Sequence, residues 1–168
     1  MPRTSDKLSP EGFAAVQEQL ELLFPSLEET AAGSVELSVY RLRESSCLPP
    51  ELDNPHTQTS WQGILRGQPA DAGAAYAAID ALALELQSED WAVTAEHDTP
   101  DVEIGQVRII YLKQGAVNLR LIFERGYPDT VEVVATTACV DHPKEHRMQR
   151  SELDPDYGTS SQFYPDGD

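Results

Sequence analysis

Close to the end of this 168-residue chain, the run CVDHPKEHRM places His142, Glu145 and His146 in the order H-x-x-E-H. One class of zinc peptidase uses that order. Two imidazoles on one helical face hold the ion, and the glutamate sits beside the metal-bound water. The chemistry sets conditions that the surrounding residues do not meet. A further carboxylate ligand should come from well downstream, yet only 22 residues follow His146 and Glu152 is the sole glutamate among them. Pro143 pushes His142 away from helical angles, and no apolar stripe flanks the motif to anchor a helix. The spacing therefore reads as coincidence, and neither a catalytic residue nor a cofactor is assigned. No metal is assigned either; His142 and His146, with Asp141 and Asp154 near them in sequence, are kept only as an adventitious metal candidate.

Other reactive residue types fare no better. Ser45, Ser46 and Cys47 adjoin one another without a histidine in recognisable context. His97 and Asp98 read as a solvated loop, and the spacing of Asp98, Asp101 and Glu103 does not match a calcium loop. No glycine-rich phosphate loop is present, and Trp61 and Trp91 read as core anchors. Twenty-nine acidic against twelve basic residues give a net charge of −17, which excludes nucleic acid and anionic membrane surfaces as partners by repulsion. No apolar run approaches the roughly 20 residues that span a bilayer. The opening MPRTSDKLSPEG lacks the apolar stretch of a secretory leader; it reads as a start from which a leader has been removed.

The elements that would position any site follow from periodicity. Residues 1–8 read as a disordered stub, 9–140 as one domain and 141–168 as a loose polar tail. Ser9-Pro10 caps a helix with Phe13, Val16, Leu20, Leu23, Phe24 and Leu27 on one stripe, which Pro25 should end or bend. Val35, Leu37 and Val39 alternate in a strand running to about Arg43. A short strand surrounds Trp61, and a second, alanine-rich helix opens near Pro69, with Ala72, Ala75, Tyr76, Ile79, Leu82, Ala83 and Leu86 facing inward. Four strands close the pattern, at Trp91–Ala95, Val107–Leu112, Val117–Phe123 and Val131–Thr137, with Gly115 in the tight turn between the middle two. The order α-β-β-α-β-β-β-β predicts an α+β two-layer sandwich: an antiparallel sheet with two helices on one face and the other face open.

Cys47 and Cys139 are the two cysteines, each at the polar end of a strand. If the first and last strands are neighbours, the sulfurs can join, which would imply an oxidising compartment; two independent thiols are the competing reading. Among surface residues, Arg108, Ile110, Leu112, Asn118, Arg120 and Ile122 mix basic and apolar side chains on an acidic protein. They are expected to form a binding face.

Taken together, SVELSVYRLRESSCLPP, the Trp61 segment, the alanine-rich helix before Trp91 and VVATTACV resemble the mature domains of secreted or lipid-anchored actinobacterial proteins, the LppA-like lipoprotein group among them. The likeness runs over most of residues 10–140. It implies an envelope location with no established chemistry, and membrane contact only through a lipid anchor on a cysteine that these residues do not include. The expectation is a non-enzymatic binding domain with a protein or small-molecule partner in the cell envelope. The alternative is an acidic inhibitor or immunity-type protein that blocks a basic toxin or nuclease.

Overall fold

A computed structural model describes residues 8–50, 52–99 and 105–167. Most of the expected stub, and Asp101 and Glu103 of the weighed cation cluster, lie outside the described residues; Leu8 packs against the core.

Helix α1 (Pro10–Ala31) starts where its cap predicts, the Ser9 hydroxyl accepting from the Gly12 amide at 3.0 Å. Its buried face holds Phe13, Val16, Leu20, Leu23, Phe24 and Leu27 as the stripe requires, with Ala31 in addition. Pro25 does not end it. An interior proline costs about 3 kcal/mol, but burying each of Phe24 and Leu27 returns roughly 1.5–3 kcal/mol, so the last turns stay on the core. Helix α2 (Ala72–Ser88) begins three residues after Pro69, where the Asp71 side chain accepts from the Ala74 amide at 2.8 Å.

The strands are β1 (Ser38–Ser46), β2 (Gln58–Gly67), β3 (Ala92–Thr99), β4 (Val107–Gln114), β5 (Val117–Glu124), β6 (Thr130–Thr137) and a two-residue β7 (Val140–Asp141). They form one antiparallel sheet in the order β1-β2-β6-β5-β4-β3, with β7 pairing β2 beyond the end of β6. Both helices lie on the same side, α1 over β2 and α2 over β5 and β4. This is the predicted α+β sandwich. Some boundaries differ. Val35 and Leu37 are buried but precede β1, and β3 runs on to Thr99, so His97 and Asp98 stand on a strand and not in a loop. Trp61 and Trp91 are core residues.

Cys47 and Cys139 are bonded, with 2.10 Å between sulfurs and 6.2 Å between Cα atoms. The premise for that pairing needs correcting, because β1 and β6 are not neighbours. β2 lies between them, and the bridge crosses its first residues, where Thr59 pairs Ser46 on one side and Val140 on the other.

A second correction concerns the end of the chain. Residues 141–167 lack long regular elements but are not loose. The Glu44 amide donates to the Gln149 carbonyl and the Ser151 amide to the Leu42 carbonyl, each at 2.9 Å. Buried Asp154 accepts from the Leu42 amide at 2.8 Å and takes Arg43 in a fork at 2.8 and 2.7 Å. The buried Arg150 guanidinium lies 4.2 Å from the centre of the Tyr164 ring and donates to the carbonyls of Asp156 and Thr159. This segment covers the middle of the outer edge of β1, which would otherwise present unpaired backbone groups.

Two outcomes check the packing. A Cβ at Gly63 would fall 2.4 Å from Phe24 Cζ, so Gly63→Ala should cost about 1–3 kcal/mol in chemical denaturation, whereas Gly33→Ala, with nothing within 4 Å, serves as the neutral control. Reduction of the disulfide, whose cysteines are separated by 92 positions, should lower unfolding free energy by about 2–4 kcal/mol, read as a shifted urea midpoint with and without reductant.

Candidate functional site

The helix-free face of the sheet is built by register. Antiparallel partners share a side, so Arg41 pairs with Ile64, Arg43 with Gln62, and Arg66 with Glu132 on that face. Val134, Arg120 and Tyr111 continue it across β6, β5 and β4, as do Ile122 with Ile109 and Asn118 with Lys113. The strands thus present Arg41, Arg43, Arg66, Lys113 and Arg120 against the carboxylates Glu124 and Glu132. Between the cations lie the half-buried Ile64, Ile122 and Ile109, with Val134 buried among them. Arg66 is paired with Glu132 at 2.8 Å and stacks 3.7 Å from the Tyr40 ring centre. Hydrogen bonds to Tyr40 and Glu132 outweigh its desolvation, the largest single influence, so its pKa is raised. Arg41 donates to Gln62 at 3.1 Å, while its Nε is buried without a partner. These arginines line a cavity of about 700 Å³ with Tyr40, Pro128 and Asp156.

Of the six residues expected to form a binding face, the structure places only half there. Asn118, Arg120 and Ile122 lie on the open side. Ile110 and Leu112, 2% and 1% exposed, point under the helices, and Arg108 reaches Asp80 of α2 at 2.7 Å and Asp98 at 3.3 Å. The cause is the hairpin. A two-residue turn sets Leu112 opposite Leu119, so even positions in β4 share a face with odd positions in β5. The run VRIIYL, apolar at both parities, hid this.

A different cluster sits at one end of the core. Glu44 on β1 is 1% exposed and points under the helices. Its Oε2 accepts from Thr59 Oγ1 at 2.8 Å and lies 2.8 Å from His146 Nε2. The Gln149 amide donates to its Oε1 at 3.2 Å. Thr59 Oγ1 is also 2.8 Å from His142 Nε2. The two imidazoles stack, with centroids 3.7 Å apart and planes at 8°, and Phe13 meets His142 edge-on at 4.9 Å. Burial lowers the pKa of His142 and His146 lowers it further, while Asp141 opposes both. His56 joins the same corner, its Nε2 2.9 Å from the Lys144 carbonyl.

His142 and His146 therefore meet, as their spacing hinted, but not on a helix. Glu145 is exposed, and the carboxylate beside the imidazoles comes from β1 instead, bonded to His146 and linked to His142 through Thr59. Asp141 binds Gln58 and Asp154 binds Arg43, so neither joins them. Ser45 donates to Gln62, and Cys47 is committed to its bridge. Glu44, Thr59, Arg41, Arg43 and Arg66 escaped the sequence reading. A signal for Glu44 exists in the alternation of Leu42 and Glu44 through RLRESS. It is obscured because an irregularity between Val39 and Arg41 shifts the inward parity by one.

Comparison of the chain with protein-family models, with curated proteins and with solved structures finds no match.

The anchoring of the C-terminal segment has a direct check. Asp154→Ala removes a wholly buried carboxylate from Arg43 and from the Leu42 amide and should cost about 3 kcal/mol. Amide exchange of Leu42 and Ser151 should accelerate in the same variant, and equal protection in both proteins would contradict the assignment.

Proposed function

We propose that this chain is a binding domain, not an enzyme, that works outside the cytoplasm at the cell envelope, tethered by a lipid anchor, and that it docks an acidic, partly apolar protein segment on the open face of its sheet. One observation carries the reading: five cations gathered around an apolar band on a protein of net charge −17. The disulfide supports the oxidising location. The resemblance to lipid-anchored envelope domains supports the tether.

An acidic partner must approach a protein that is acidic overall, and the length scales allow it. Strands are spaced about 4.8 Å apart, so the face from β1 to β4 is roughly 20 Å wide. Charges are screened over about 8 Å at physiological salt. On the face itself Arg43 and Arg66 are paired with Asp154, Asp156 and Glu132, so the attraction for a partner at its centre rests on Arg41 and Arg120. Guanidinium forks suit carboxylates, and the half-buried isoleucines between them suit apolar side chains.

Fluorescence anisotropy with a labelled peptide bearing interspersed glutamate and leucine tests this, with a lysine-for-glutamate peptide as control. The glutamate peptide should bind, more weakly as salt rises, and Arg41→Ala or Arg120→Ala should each weaken it about tenfold. Preference for the lysine peptide would overturn the reading and favour an acidic inhibitor of a basic toxin or nuclease.

A further inference from the structure

Independently of that face, we infer that Glu44, His142 and His146 form a site for one divalent first-row transition-metal ion of the zinc class, closing the C-terminal segment onto β1. The three donor atoms lie within 4.8 Å of one another. Glu44 lies about a hundred positions before the two histidines, so the fold is what brings the carboxylate to them.

The donor chemistry selects the ion. Two imidazole nitrogens and one carboxylate oxygen suit zinc, cobalt or nickel, whereas calcium and magnesium require oxygen sets. Bonds of about 2.0–2.1 Å at tetrahedral angles place donors roughly 3.3–3.4 Å apart. His146 Nε2 and Glu44 Oε2 are now 2.8 Å apart. The two rings are stacked with planes at 8°, so the stack must open and the close pair separate before both nitrogens can share one ion.

The surroundings are those of a built site. Glu44 Oε1 is held by the Gln149 amide, while Thr59 contacts Glu44 Oε2 and His142 Nε2 and is the group an ion would displace from that nitrogen. Phe13 packs on the His142 ring, and the Cys47–Cys139 bridge lies at the same end of the sheet. Groups behind the ligands that fix their orientation raise affinity. A cavity of about 280 Å³ opens at His146, lined also by His56, Met148 and Phe163. Of the three donors it touches His146 alone, the side from which solvent reaches the cluster.

Without an ion, the same groups form a hydrogen-bonded chain. Thr59 donates its one proton to Glu44, so His142 must donate to Thr59 through Nε2–H, and His146 donates to Glu44 in the same way. Binding replaces these two N–H donors by nitrogen lone pairs, moving each imidazole proton to Nδ1. The motif's own Glu145 plays no part.

The test uses the full, disulfide-intact chain stripped of metal by a chelator and titrated with cobalt(II) and zinc(II). One ion per chain is expected, with the visible absorption of four-coordinate cobalt, displacement of cobalt by zinc, and no competition from excess calcium. In proton NMR, bound cobalt should broaden the ring signals of His142 and His146 and leave those of His97 sharp. His142→Asn and His146→Asn should each weaken binding at least roughly tenfold, the lower bound set by losses of mere supporting groups. Glu145→Gln should bind as the parent does. Failure of the parent chain to bind one ion overturns the inference, as does full competition by calcium or unchanged affinity in both histidine variants. The NMR readout on the parent chain decides the matter even if a histidine variant does not fold.

Discussion

A carboxylate shut away from water must be given partners, because an ion left alone in a protein interior costs several kcal/mol. Glu44 is such a group, and the architecture around it follows from serving it. β2 supplies a hydroxyl from Thr59, placed inward by strand alternation. The rest must come from outside the sheet, and the chain returns after β7 to provide it: His146 for one oxygen and the Gln149 amide for the other. The Tyr164 hydroxyl donates to the backbone carbonyl of the same residue. One inward-facing acid on β1 thus accounts for why the final residues, polar throughout, are held in place without a helix or a long strand.

The sheet's two sides divide the labour. The helix side carries the continuous core, from Phe24 over Gly63 to Phe123 under Tyr76. The side without helices keeps apolar surface at Ile64, Ile122 and Ile109, and its arginines come from strands far apart in sequence. Arg43 belongs to both systems. On the open face it is one of five cations, and at the edge it clamps Asp154 and Asp156 at 2.7 and 2.8 Å.

How much of this could be read beforehand depended on whether the information was periodic. The stripe from Phe13 to Leu27 and the alternation of Val117, Leu119, Leu121 and Phe123 repeat often enough to fix element type, and the layer arrangement follows from them. A single-residue phase error is invisible to such patterns. The shift near Tyr40 concealed Glu44, and the two-residue turn at Gly115 inverted half of the expected face. The C-terminal segment has no period at all. Its order comes from single side chains, Asp154, Arg150 and Tyr164, each reaching a target more than a hundred positions earlier or within its own irregular coil. Nothing local in PKEHRMQRSELDPDYG announces that. The H-x-x-E-H spacing forms no helix, yet its histidines meet a carboxylate from β1, a strand that no motif could name.

The sheet also has unlike margins. β1 is occupied at Leu42 and Glu44 by the segment after β7, while β3, exposed along its whole length, pairs among the described residues only with β4 and carries Glu96, His97 and Asp98 beside an irregularity between Val93 and Ala95. The middle of β1 is thereby closed to a strand from another chain, while the outward backbone groups of β3 are left to solvent and to the twist that its irregularity imposes.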